Sequence, residues 1–179
     1  MKIRRAVLAD AAAIARVHAA SWRATYAGIV SQTYLDSLDV AQFTEQWQKW
    51  ITSETSAVIC VAELNGAVAG FASAGPVREQ VSFYDGELYA IYLLPELQRQ
   101  GIGRALFAYT ADALAARKLN HMLLWSFRDN PSAGFYKRLG GEVVAEGTYD
   151  IGGEALPTVA YGWTDIGARK WGERRAVLG

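Results

Sequence analysis

At 179 residues the chain suits one domain with a full core, and a composition of 51% hydrophobic and 20% charged residues excludes a disordered chain. Eighteen basic residues balance 18 acidic ones, which argues against nucleic acid or an anionic membrane as the main partner. Cys60 is the only cysteine, so no internal disulfide or thiolate metal cluster can form, and the expected setting is a reducing cytoplasm.

Lys2, Arg4 and Arg5 open the chain, but only Ala6–Ala9 follows before Asp10, too little for the apolar region of a signal peptide. No apolar run reaches the length of a bilayer span. Lys2–Ala6 is a strand candidate. Asp10 is placed to cap a helix over Ala11–Trp22, with Ile14, Val17, His18 and Ser21 on one face. Ser31–Leu38 reads as a short helix, and Phe43, Trp47, Trp50 and Ile51 give the next helix an apolar stripe. Val58–Leu64 and Ala67–Ala74 flank Asn65-Gly66, the signature of a β-hairpin with a type I′ turn.

Glu87–Leu94 is the central strand, and a long helix follows with Ile102, Ala105, Leu106, Tyr109 and Ala113 as its expected buried stripe. Asn120–Phe127 is a strand, Ser132–Leu139 a helix stopped by Gly140-Gly141, and Glu142–Asp150 with Glu154–Trp163 a last hairpin. This order implies an α/β (α+β) domain, a mixed sheet with helices on both faces. Residues 1–164 are expected to form the domain and 165–179 a frayed tail.

The run Leu88–Leu106 carries the chemistry. A strand runs through Pro95 into Gly101-Ile102-Gly103 and a helix start, where unpaired N–H groups and the helix dipole suit phosphate. A Walker A loop is excluded because no Gly-Lys-Ser/Thr follows four residues after a glycine. A dinucleotide fingerprint is excluded because Leu106 stands where its third small residue belongs. What remains, Gln98-Arg99-Gln100-Gly101-Ile102-Gly103, resembles the acyl-CoA pyrophosphate loop (Gln/Arg-x-x-Gly-x-Gly/Ala) of the GCN5-related N-acetyltransferases, the GNAT family. Asn130–Gly140 resembles a second segment of that family, Asn-x-x-Ala-x-x-Phe/Tyr-Tyr-x-x-x-Gly. Both occur in the family's order, one strand apart, and the likeness covers about Ile3 to Trp163.

The resemblance implies a mostly antiparallel sheet of about seven strands with one splayed pair. It also implies acetyl-CoA as co-substrate, no metal, and transfer of acetyl to a primary amine by direct attack in a ternary complex. By position, Ile91, Tyr92 and Leu93 would hold the pantetheine through their backbone, with the Ile91 N–H as oxyanion donor. The pyrophosphate would rest on Arg99, Gln100, Gly101, Ile102, Gly103 and Arg104. Tyr136 matches the family's general acid, which protonates the departing sulfur; its alternative role is an amphipathic-helix tyrosine at the core edge. Asn130 would bond the pantetheine, cap the next helix, or both.

Glu87 is the base candidate, the alternatives being a solvated carboxylate or an amine anchor. Strand alternation expects Glu87, Tyr89, Ile91 and Leu93 on one face. Trp22, Tyr26 and Tyr89 are candidate acceptor contacts, Trp22 and Tyr26 having a core reading as well. The expected acceptor is a small-molecule amine: polyamine, amino-acid-like or xenobiotic. A protein or peptide acceptor and a non-catalytic CoA sensor are the competing readings. The resemblance also admits a homodimer.

Overall fold

The computed structural model describes residues 1–53 and 57–171. Its seven strands are β1 (Lys2–Arg5), β2 (Val58–Leu64), β3 (Ala67–Pro76), β4 (Gly86–Leu93), β5 (Met122–Phe127), β6 (Glu142–Ile151) and β7 (Glu154–Trp163). They form one sheet in the order β1-β2-β3-β4-β5-β7-β6, antiparallel throughout except for the parallel pair β4–β5. The helices are α1 (Ala11–Thr25), α2 (Gln32–Asp36), α3 (Val40–Thr52), α4 (Ile102–Ala115) and α5 (Ala133–Arg138).

Local chemistry explains most of these elements. Asn65 and Gly66 both adopt positive φ (51° and 81°), as the tight turn between β2 and β3 requires. Asp39 starts α3 by accepting from the Ala41 and Gln42 N–H groups at 2.7 and 3.4 Å. The expected cap at Asp10 does not form. Its carboxylate instead takes both Arg4 guanidinium nitrogens (2.7 and 2.9 Å) and the Val7 N–H (2.8 Å). An ionised partner within reach outcompetes a neutral backbone donor. The Arg4 bonds hold the Asp10 carboxyl below its ordinary range.

The two faces of the sheet carry different helices. Ile102, Leu106, Phe107 and Leu114 of α4 pack with Cys60, Ala72 and Ala74 on one face. Ile14 and Val17 of α1, with Trp47 of α3, pack with Ile59, Val61 and Phe71 on the other. The α4 stripe is turned from the expected one: Phe107, Ala111 and Leu114 are fully buried, while Ala105, Tyr109 and Ala113 are half-buried. Alanine and glycine dilute the hydrophobic pattern of this helix, so its sequence does not fix the inward direction.

The chain after Thr164 corrects the frayed-tail expectation as far as it is described. Ile166 (0% exposed) and Trp171 (7%) belong to the core cluster beneath α4. Trp171 meets the Phe107 ring at 5.0 Å, and its indole N–H donates to the Ile166 carbonyl at 3.0 Å. Two large apolar residues with a vacant core edge within reach are enough to recruit a polar segment. Glu173, Arg174 and Arg175 lie outside the described residues.

Candidate active site

β4 and β5 pair only at Gly86 with Met122 and Glu87 with Leu123. Past this point they separate, and a cleft of about 600 Å³ opens between Leu88–Leu93 and Leu124–Ser126. Ser21 and Tyr26 at the end of α1, the turn before α4, and α5 complete its walls. The volume is that of an ordinary small-molecule site.

A bulge in β4 sets which groups face the cleft. Ser73 stands opposite Ala90 and Ala74 opposite Leu88, so Tyr89 is the inserted residue. Leu88, Ile91 and Leu93 therefore pack on the α4 side, whereas Ala90 and Tyr92 pack on the α1 side. The expectation that Glu87, Tyr89, Ile91 and Leu93 share a face is thereby corrected. Counting by twos fails across an inserted residue.

Beyond the bulge the alternation is regular. The Leu94 N–H donates to the Ala69 carbonyl on β3 at 3.0 Å. Ile91 and Leu93, three and one residues away, then turn their backbone groups from β3 toward the open side. The Leu93 carbonyl accepts from Ser21 Oγ at 3.2 Å, which ties α1 to this strand. Tyr92 stacks its ring on His18 at 5.2 Å, and burial raises its phenol well above the ordinary range.

At the cleft's other wall, Gly101 has φ 84° and Arg99 has φ 62°. A left-handed arginine costs about 1–2 kcal/mol, so the turn holds some backbone strain. The first helical bond of α4 runs from the Ala105 N–H to the Gly101 carbonyl at 3.1 Å. The N–H groups of Ile102 and Gly103, ahead of that bond, are left without an intrahelical acceptor. A Cβ at Gly103 would meet only the Phe135 ring at 3.5 Å, an ordinary contact. Nothing in the protein itself requires glycine there, so the missing side chain keeps the helix start open to a ligand. Among the described residues Arg99, Arg104 and Arg138 line this cleft and no carboxylate does, a charge distribution that suits a pyrophosphate. Arg104 also donates from Nε to the Trp171 carbonyl at 3.0 Å.

Arg138 escaped the sequence reading although it lies inside the second motif. Its signal was a basic residue in the last turn of α5, two positions after Tyr136. Tyr136 lines the cleft and is 6% exposed, with Tyr161 and Phe135 ring centroids 5.3 and 5.5 Å away. Burial raises its phenol above the ordinary value, so it stays protonated through neutral pH. Asn130 Oδ1 accepts from the Ser132 N–H at 2.8 Å, and Nδ2 donates to Ser126 Oγ at 2.8 Å. Its amide thus fixes the turn into α5 at the cleft wall.

The acceptor candidates separate. Tyr26 lines the cleft, its hydroxyl 3.4 Å from the Tyr92 hydroxyl and 3.5 Å from Asn130 Nδ2. Tyr89 lines it too, with its hydroxyl donating to the Pro76 carbonyl. Trp22 does not line it; the indole packs edge-on against Tyr26 at 4.8 Å in a satellite core. Glu87 is also outside the lining. It is 2% exposed and accepts from the Arg78 backbone N–H at 3.0 Å, from Arg78 Nε at 3.1 Å and from Arg78 Nη2. Both carboxylate oxygens of Glu87 are thus taken by Arg78, and the expected base stands in an ion pair beside the cleft rather than in its lining.

Comparison with known proteins agrees with this geometry. The sequence pattern of the acetyltransferase (GNAT) family matches residues 18–141. The N-acetyltransferase YuaI of Bacillus subtilis (strain 168), described as uncharacterized, is 44% identical over 94% of this chain and 95% of its own. Among solved structures, the PaiA N-acetyltransferase of Thermoplasma acidophilum in complex with coenzyme A superposes with a TM-score of 0.71, at 23% identity over 88% of this chain and 96% of that one. The acetyltransferase YncA of Salmonella typhimurium with acetyl-CoA gives 0.68, at 23% identity over 92% and 93%.

Proposed function

The chain belongs to the acetyltransferase (GNAT) family, N-acetyltransferases with acetyl-CoA as donor, and from that premise we propose that it acetylates the primary amine of a small molecule by direct attack in a ternary complex. One observation supports this most: a single cleft gathers the open helix start at Ile102 and Gly103, the outward backbone of Ile91 and Leu93, and the Tyr136 phenol.

Each group has one task. The helix-start amides and the arginines beside them hold the pyrophosphate of the donor. The β4 backbone at Ile91 and Leu93 pairs with the pantetheine as an added strand would. The Ile91 N–H then faces the thioester carbonyl and stabilises the negative charge that develops on its oxygen. The amine nitrogen forms the new C–N bond, and the C–S bond breaks as Tyr136 gives its proton to sulfur. The amine's proton leaves through solvent, no carboxylate among the described residues lining the cleft.

Thiol release from acetyl-CoA, followed with a panel of small amines, tests the reading. Accelerated release by at least one amine, saturating in both substrates without a covalent acetyl-enzyme, is the expected result. Acceleration only by peptide N-termini would move the acceptor to proteins, and tight acetyl-CoA binding with no acceleration by any amine would leave a binding module.

A further inference from the structure

The ion pair between Arg78 and Glu87 is asymmetric in a way that points to the acceptor. The Glu87 side chain is 3% exposed and the Arg78 side chain 63%. The anion is inside and the cation outside, so a molecule approaching from solvent meets only N–H donors. Glu87 engages the Nε and Nη2 atoms of the guanidinium. Two Nη1 hydrogens and the second Nη2 hydrogen remain, an end-on fork that matches the two oxygens of a carboxylate.

The fork is held in place from two sides. Its inner edge rests on Glu87, and its plane lies over the Tyr89 ring, 4.7 Å from the centroid. That ring is itself fixed, because its hydroxyl bonds to the Pro76 carbonyl and its edge fills space left open by Gly75. A Cβ at Gly75 would stand 2.6 Å from the Tyr89 hydroxyl oxygen. An exposed arginine normally samples many rotamers; this one is prepared in a single orientation, which lowers the ordering cost of binding.

Position adds the second half of the argument. Tyr89 lines the cleft, two residues before Ile91 and so about 7 Å along the strand from the reacting centre. Across the opening, Tyr149 is close enough to act electrostatically on Arg78, and its ring packs on Phe127 at 6.3 Å. Phe127 packs in turn on Tyr26 at 5.2 Å, in the cleft wall. Arg78 therefore stands beside the cleft, against the lining residue Tyr89.

We propose that Arg78 determines acceptor specificity: the acetylated amine also carries a carboxylate, and the outer fork of Arg78 binds it. This rests on the transferase reading above and narrows its acceptor to an amino acid or a short ω-amino acid. Glu87 is then a positioning residue, acting on the acceptor through Arg78.

Matched pairs of amines test it, phenylalanine against phenethylamine and 6-aminohexanoate against hexylamine, together with calorimetric binding of hexanoate and 3-phenylpropionate to the CoA-loaded protein. In at least one pair the carboxylated member should have the higher kcat/KM by tenfold or more. Arg78→Gln should shrink that ratio at least tenfold, through acceptor KM rather than kcat. At least one of the two amine-free carboxylates should bind the parent protein and lose tenfold or more of its affinity in Arg78→Gln. Equal or better use of the decarboxylated amines, or carboxylate binding indifferent to Arg78, overturns the proposal. Carboxylate binding that needs Arg78, with no thiol release from any amine, would overturn the transferase reading while the anion site stands.

Discussion

Arg104 Nε donates to the carbonyl of Trp171 at 3.0 Å, joining the first turn of the helix that lines the cleft to a segment 67 residues further along the chain. The indole of Trp171 packs on Phe107 of the same helix. The segment after β7 thus braces α4 from below while the amides above it stay open to the cleft.

Removing that brace should cost stability first. Trp171→Ala empties a buried indole site and should destabilise the fold by about 3–5 kcal/mol. Urea unfolding with and without acetyl-CoA measures it. A loss under about 1 kcal/mol would show that the segment is not part of the core.

The two glycines of the loop should fail differently. Gly101→Ala places a Cβ on a residue at φ 84° and should cost about 1–2 kcal/mol of stability. Gly103→Val should leave thermal stability within about 1 kcal/mol, because helical backbone tolerates it, yet weaken acetyl-CoA binding at least tenfold. Melting curves paired with calorimetry separate the two effects. Parent-like affinity in Gly103→Val would refute the pyrophosphate position.

Tyr136→Phe removes a proton donor and leaves the packing against Tyr161 and Phe135. Its kcat should fall by roughly 10²–10⁴, with acetyl-CoA KM nearly unchanged. Steady-state kinetics decide, and a parent-like kcat would remove Tyr136 as the acid.

Glu87→Gln should not alter the pH dependence of kcat/KM, since the carboxylate is bound to Arg78 outside the cleft. It should raise acceptor KM severalfold by loosening Arg78. Profiles between pH 6 and pH 10 test this. Loss of the ascending limb would restore Glu87 as the base.

His18 should set an acid limit on stability. It is stacked on Phe43 at 4.4 Å and accepts from Trp47 Nε1 at 3.3 Å, and burial lowers its pKa from 6.5 to about 4. Between these values the unfolded chain binds the extra proton and the folded one does not. Stability is therefore full above pH 6.5 and falls as pH drops toward 4, by about 3 kcal/mol once both states are protonated. Urea titrations at pH 7, 5.5 and 4.5 measure the slope, and His18→Gln should flatten it. An equal slope in the variant would assign the acid limit to other groups.

Features written in a few consecutive residues were legible from the start. Asn65-Gly66 has the two left-handed residues its turn needs, Gly101 the positive φ of a loop opening a helix, and Asn130–Gly140 folds into the turn and helix that bring Tyr136 to the cleft. Cys60, expected as a buried strand residue, is fully buried, and burial pushes its thiol up to about 12. These outcomes depend on backbone preference and local pattern, which a short stretch of sequence carries in full.

Trp22 shows where that legibility ends. It and Tyr26 were both candidate acceptor contacts, but only Tyr26 lines the cleft. Four residues apart on one helix they are neighbours, and no helical period says which of two neighbouring rings meets the sheet and which the next helix.

By itself, the sequence determined the order of elements, the glycine turn that opens α4 and the helix that carries Tyr136 beside it, because each is specified by contiguous residues. Tertiary structure alone decided that β4 is bulged at Tyr89, that Glu87 is bound to Arg78 rather than presented to the amine, and that Ile166 and Trp171 close the core. A bulge exists only in register with a partner strand, an ion pair only between elements that meet, and a core only where the chain returns to it. Such properties belong to pairs of residues far apart in sequence, and only the folded chain brings those pairs together.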